Sequence, residues 1–135
     1  MDLSDYFKII SSDDHVLHIQ IQGFWSDEFA IQYGAEFLNI FKSAIDQFQG
    51  RQFIILTEES GFKVPTEGAR QLLVVSMQYC KNRNMYLAID LNPSSLGNLG
   101  LGRIVKEAHM QDNRVIMKSL QEAQQFIESC RNKLQ

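Results

Sequence analysis

The stretch that decides the fold is Phe53-Ile54-Ile55-Leu56-Thr57, a short apolar run that ends on a threonine. Its length and its β-branched content are typical of a strand that is buried on both faces, as in a parallel sheet. Met85–Asp90 has the same character further along the chain. Two such strands with a helical segment between them predict an α/β fold in which helices cover the sheet.

An opening hairpin precedes this central strand. Tyr6–Ile10 and Val16–Gln22 are β-prone runs, and the turn-forming cluster Ser11–His15 separates them. Every second residue from Leu17 to Ile21 is apolar, which predicts a strand with one face on a core and the other in water. The hairpin makes the predicted sheet mixed.

Apolar residues at three- and four-residue spacing predict four helices. Ser26 caps the first, Thr66 opens the second, a glycine-rich loop leads to the third, and the capping box Ser119–Glu122 opens the last. The predicted apolar stripes are Ala30, Tyr33, Phe37, Ile40, Phe41, Ala44 and Phe48; Ala69, Leu72, Leu73, Ser76, Met77 and Cys80; Leu101, Ile104, Val105 and Ala108; and Ala123, Phe126, Ile127, Cys130 and Leu134.

With a final strand at Arg114–Lys118, the element order is β-β-α-β-α-β-α-β-α. This order predicts a mixed five-stranded sheet with an N-terminal β-hairpin and about four helices. A chain of 135 residues is close to the commonest domain size, so we expect one domain over residues 1–135.

The composition excludes several classes of function. The net charge of −3 gives no basic surface for nucleic acid, and no apolar run is long enough for membrane insertion. The first residues have no signal-peptide pattern. Cys80 and Cys130 lie on apolar helix stripes, which favours buried free thiols over a disulfide. Free thiols in turn favour a cytoplasmic location. Residues 1–50 hold eight acids and two bases, so a partner could be oriented by this charge asymmetry.

Ligands of open α/β sheets bind at the carboxyl ends of the strands. Two long connections follow the central strands, Glu58–Pro65 and Leu91–Leu101. Four apolar residues lie in them: Phe62, Val64, Leu96 and Leu99. They either form a pocket or a protein-binding patch, or fold back onto the core.

Charged groups near these loops have two interpretations. Gly100 belongs to a glycine-rich run that could bring backbone amides close to an anion with Arg103 nearby, or that only makes a turn. Arg70 and Arg103 each lie near a helix start, where they converge on one anionic group or pair with Glu67 and Glu107.

No combination of residues predicts catalysis, a metal site or a cofactor. His15 and His18 are three residues apart, so on a strand they point to opposite faces and cannot share an ion. Trp25 directly precedes the first helix cap, where packing is the ordinary role. We therefore do not expect an enzyme.

The element order, Asn92-Pro93 after a buried strand and the closing Ser119-Leu120-Gln121-Glu122-Ala123 together resemble the SpoIIAA-like (STAS) family. Its members include anti-sigma-factor antagonists, and the long loop before the second helix resembles the stand-alone bacterial members. In the antagonists an Asp-Ser-Ser-Gly turn opens that helix and carries a phosphorylated serine. The matching residues here are Pro65-Thr66-Glu67-Gly68, so the glycine is retained while Glu67 replaces the phosphorylated serine.

The resemblance implies a non-enzymatic regulatory or protein-interaction module that binds a partner protein through loops 58–70 and 91–103. The alternative is a small-ligand protein that uses the same loops for a lipid or an anionic metabolite. A homodimer is a further expectation, since two-fold pairing is common among soluble proteins. Thr66 is expected to act mainly as a helix cap.

Overall fold

The chain folds around one mixed sheet of five strands in the order β1-β2-β3-β4-β5. The strands are β1 (Phe7–Ser12), β2 (Val16–Gln22), β3 (Phe53–Ser60), β4 (Met85–Leu91) and β5 (Arg114–Met117). β1 and β2 are antiparallel, and the other neighbours are parallel. The computed structural model describes residues 2–91, 102–109 and 111–134.

Four helices cover the sheet: α1 (Asp27–Asp46), α2 (Glu67–Lys81), α3 (residues 102–107) and α4 (Leu120–Cys130). Short 3-10 turns occur at Leu3–Asp5, Gln111–Asn113 and Arg131–Lys133. The predicted α/β class, hairpin and element order are confirmed. No helix in the described ranges combines the length and the apolar composition that crossing a bilayer requires.

The helices divide between the two faces of the sheet. The three connections from β2 to β5 all lead to the next parallel strand on the same side, so right-handed crossovers place α1, α2 and α3 on one face. The buried cluster on that face joins residues of these helices to Leu17, Ile19 and Ile55. α4 covers the other face, where Ala123 and Ile127 pack on Ile54 and Ile89.

Aromatic rings fill the space between α1 and the hairpin. Phe37 is fully buried, and its ring centroid lies 4.9 Å from that of Phe7, 5.1 Å from that of Trp25 and 5.8 Å from that of Phe41. Ser26 caps α1 as predicted by accepting a hydrogen bond from the Phe29 amide. Trp25 is fully buried, which confirms its predicted packing role.

Several boundaries and stripes differ from the prediction. β3 extends to Ser60, so Glu58 and Glu59 belong to the strand and not to the loop. In α1, Phe29 and Ile45 are buried, whereas the predicted core residue Ile40 is 39% exposed at the β1 side of the helix. Ser119 accepts from the Glu122 amide, which is one half of the predicted capping box. Leu101 lies outside the described residues.

The cysteines are free and buried as predicted. Cys80 belongs to the cluster beneath α1, α2 and α3, and Cys130 belongs to the cluster beneath α4. The sheet therefore separates the two thiols.

We expect Phe37→Ala to lower the free energy of unfolding by about 3–5 kcal/mol, because it removes a fully buried ring and leaves a cavity. Urea unfolding followed by the fluorescence of Trp25, the only tryptophan, measures the loss. Ile31→Ala on the same helix is the control, since Ile31 is 87% exposed and its loss should stay within about 0.5 kcal/mol. Equal losses in the two variants would contradict this packing.

Candidate protein-interaction site

The carboxyl ends of β3 and β4 lie side by side. Thr57 pairs with Asp90 and Glu58 with Leu91, so the segments that follow these strands start from neighbouring positions. The second of these segments contains Leu96, Leu99 and Gly100, which lie outside the described residues. Their contribution to a surface shared with the β3–α2 loop stays a prediction.

The β3–α2 loop contacts the β2–α1 loop. The Lys63 amide donates to the Gly23 carbonyl at 3.1 Å, and the Thr66 amide donates to the Trp25 carbonyl at 3.1 Å. Gly23 has a φ of +74°, a left-handed conformation that favours glycine. These two hydrogen bonds hold residues 23–25 and 63–66 together as one unit.

Apolar side chains alternate between inside and outside in this unit. Phe24 is 47% exposed and Val64 is 38% exposed, and each lies between the two hydrogen bonds that join the loops. Trp25 and Phe62 point inward, with ring centroids 6.0 Å apart. We refer to Phe24 and Val64 as the loop patch.

Phe62 follows the second of the two alternatives for the apolar loop residues and folds back onto the core. It is only 3% exposed and belongs to the main core cluster. It packs edge-on against Trp25, so its burial stabilises the loop and removes its ring from the accessible surface. Of Phe62 and Val64, only Val64 stays accessible to solvent.

Thr66 connects α2 to α1. It occupies the N-cap position of α2, but its side chain makes no capping hydrogen bond, so the predicted role of its hydroxyl as a cap is wrong. The hydroxyl donates to Asp27 Oδ1 at 2.6 Å instead. Because the acceptor is charged, this hydrogen bond is stronger than one between neutral groups.

Gly68 leaves room for this Asp27 carboxylate. A Cβ atom at position 68 would lie 2.9 Å from Asp27 Oδ1, which is closer than such atoms approach each other in proteins. Any larger residue at this position would force Asp27 to move. The glycine shared with the SpoIIAA-like pattern therefore has a packing reason here.

Arg70 pairs with acids on both sides. Its guanidinium contacts Glu67 at 2.6 Å and also Glu107 of α3, and its side chain is only 13% exposed. The hydrogen bond and charge of Arg70 lower the pKa of Glu67, with a smaller contribution from Arg103. Of the two interpretations, pairing with Glu67 and Glu107 is confirmed for Arg70, while Arg103 is exposed nearby.

A buried charge cluster lies at the ends of the central strands, and sequence reasoning missed it. Asp90 on β4 forms an ion pair with Arg114 on β5, and both side chains are largely buried. Desolvation raises the pKa of Asp90, and the neighbouring guanidinium opposes this shift. Glu59 on β3 lies close enough for both charges to act on it. The signals in the sequence were Asp90 at the end of the second apolar run and Glu58-Glu59 directly after the first.

On the α4 face, His18 Nε2 lies 2.7 Å from Glu58 Oε2. His15 Nδ1 lies 2.9 Å from the Gln52 carbonyl oxygen, so the two imidazoles have different partners. Within residues 2–91, 102–109 and 111–134 no three His, Cys, Asp or Glu side chains are grouped so that they could hold a metal ion.

An internal cavity of about 30 Å³ lies between the sheet and α1, α2 and α3. Its walls are mostly apolar, and Thr57, Ser76, Asp90 and Arg114 add polar groups. This volume has room for one or two water molecules. It is too small for a lipid or a metabolite in this conformation.

Comparison with solved structures identifies the fold. No protein-family model and no curated protein matches the chain. Among solved structures it is similar to one described as "Structure of the Bacillus Cell Fate Determinant SpoIIAA in the Phosphorylated Form", with 18% identity and a TM-score of 0.54. The match covers 90% of this chain and 98% of that one. The chain therefore has the SpoIIAA-like (STAS) fold.

Proposed function

We propose that this chain is a non-enzymatic regulatory module that binds a partner protein through the loop patch and the amino-terminal end of α2. The observation that carries the proposal is the exposure of Phe24 and Val64 on two loops that hydrogen bonds hold together. The predicted 58–70 loop supplies one half of this surface, and the β2–α1 loop adds a half that the sequence did not indicate.

Exposed apolar side chains of this kind suit the centre of a protein interface. Interface cores are enriched in aromatic and aliphatic anchors with polar residues around them. Phe24 supplies the aromatic anchor, and Ile31 extends the apolar area one turn along α1 from Asp27. The loop patch is small, which agrees with a regulatory contact of moderate area.

Acidic residues surround the loop patch. Asp27 and Glu28 lie exposed in the first turn of α1, and Glu67 lies exposed in the first turn of α2. Lys63 is the basic residue between them. A partner that combines an apolar contact with basic side chains would therefore match the charge of this surface.

The surface is held rigid before binding. Trp25 and Phe62 are buried directly behind Phe24 and Val64, and Pro65 is buried as well. Because the loops are fixed by packing and by backbone hydrogen bonds, little ordering is needed when a partner binds. Preorganisation of this kind supports recognition more than catalysis, which needs reacting groups that this surface does not present.

The fold supports a regulatory role, since the similar Bacillus protein is described as a cell fate determinant and was solved in a phosphorylated form. In this chain Thr66 faces the Asp27 carboxylate, and Glu67 follows it. A phosphate on Thr66 would meet the negative charge of the Asp27 carboxylate that its hydroxyl now contacts. We infer that regulation by a phosphate at this position is unfavourable here.

The small-ligand alternative has weaker support. It needed Phe62 as a wall, but this side chain is in the core. The apolar cavity between the sheet and α1, α2 and α3 holds only about 30 Å³ and is not lined by the β3–α2 loop. Homodimer formation stays a prediction; the bulge in β1 between Ile9 and Ser11, together with Lys8, hinders strand pairing at that edge.

We expect Thr66→Val to lower the free energy of unfolding by about 1 kcal/mol, because the Asp27 carboxylate loses its short hydrogen bond. Thr66→Ser retains the hydroxyl and should lie close to the unsubstituted protein. Urea unfolding compares the three proteins. A loss in the serine variant with none in the valine variant would show that the methyl group matters and the hydrogen bond does not.

A second prediction tests the surface itself. Phe24→Asp and Val64→Asp should each abolish recovery of a stoichiometric partner that the unsubstituted protein captures from cells, because both place a charge in the apolar contact. The measurement is affinity purification with quantitative mass spectrometry of the recovered proteins.

Ile10→Asp is the matched control for that experiment. Ile10 is 45% exposed on β1, away from both loops, so its substitution changes apolarity and charge equally without touching the loop patch. A partner lost from all three variants, or retained by all three, would place the binding surface elsewhere.

A further inference from the structure

Glu59 is in an unusual position for an acid. Both of its carboxyl oxygens are buried from solvent, and neither has a hydrogen-bond partner within the described residues. Buried polar groups in folded proteins nearly always have partners, and an ionised carboxylate without one is strongly unfavourable. The position therefore favours the neutral, protonated form of the side chain.

The charges on its own face of the sheet add to this effect. Asp90, one strand away on β4, already pairs with Arg114 on β5. The single guanidinium is therefore shared between two carboxyl groups if Glu59 loses its proton. Burial and the charge of Asp90 raise the pKa of Glu59 to about 7, and Arg114 acts in the opposite direction.

No other described element supplies a compensating charge to these oxygens. The residue paired with Glu59 on β2 is Ile21, and Glu58 is engaged with His18. Lys118 lines the same surface depression as Glu59 but makes no contribution to the shift in the pKa of Glu59. Residues 92–101 contain no ionisable side chain in their sequence.

The ion pairs of α2 and α3 are satisfied separately. Arg70 bridges Glu67 and Glu107, so its charge is already balanced. Arg103 acts on Glu67 and is exposed. Protonation of Glu59 therefore balances the charge of the Glu59–Asp90–Arg114 cluster at the end of β3.

We propose that Glu59 is a proton-operated switch at the carboxyl end of β3. With its proton the side chain stays packed beside the Asp90–Arg114 pair, and without it the second negative charge drives the carboxylate outward and loosens the end of the strand. Glu59 is two residues before Gly61, which starts the loop that carries Val64. The switch therefore acts on the loop patch, although its operation requires no partner.

The direction of the pH effect follows from the two protonation equilibria. The unfolded chain releases this proton near pH 4.5, whereas the folded chain keeps it until about pH 7. Stability from this group is complete below about pH 4.5 and decreases as the pH rises to about 7. Above that range Glu59 is ionised in both the folded and the unfolded chain, and the loss of stability is constant.

The experiment compares the unsubstituted protein with Glu59→Gln by urea unfolding at about pH 5 and about pH 8. At the higher pH the glutamine variant should have at least about a tenfold larger ratio of folded to unfolded protein, and the advantage should shrink at the lower pH. Glu36→Gln, which removes an exposed carboxyl on α1, is the matched control and should show no such change.

Two measurements on the unsubstituted protein complete the test. Carboxyl carbon NMR should give a midpoint for Glu59 near 7, and amide exchange at the end of β3 should speed up above that pH beyond its intrinsic dependence. A midpoint near 4.5 would overturn the proposal. So would a midpoint near 7 with unchanged exchange, since the proton would then have no structural effect.

Discussion

The burial of Trp25 is the contact on which the arrangement of the β2–α1 and β3–α2 loops depends. Its indole lies 4.5 Å from Phe29 and 6.0 Å from Phe62 by ring centroids, and its Nε1 donates to the Gln22 carbonyl. One side chain therefore joins the end of β2, the start of α1 and the β3–α2 loop. Because it is fully enclosed, it allows only one arrangement of these three segments.

The fold could be predicted because each helix and strand has a recognisable pattern in its own local sequence. The run from Phe53 to Leu56 is buried on both faces, and the stripe through Ala69, Leu73 and Cys80 packs as its spacing indicates. The end of β3 was missed for a physical reason. Glu58 and Glu59 look like loop residues, but their backbones pair with β2, and this pairing is decided by residues some 40 positions away.

The site was only partly predictable, because its contacts join distant positions. Thr66 donates to Asp27, 39 residues earlier, and no local pattern relates them. The sequence left open whether the apolar loop residues stay outside or fold back onto the core. Val64 stays outside and Phe62 folds back, since only the position of Trp25 distinguishes them. Arg70 was interpreted more successfully because Glu67 lies one helical turn away.

The separation of the two cysteines by the sheet gives each layer of the molecule its own chemical reporter. Cys80 lies in the layer of α1, α2 and α3, Cys130 lies under α4, and burial raises the pKa of the Cys80 thiol. A thiol reagent can react with either sulfur only after its own layer opens. Labelling of the two positions therefore distinguishes a molecule that opens one layer at a time from one that opens as a whole.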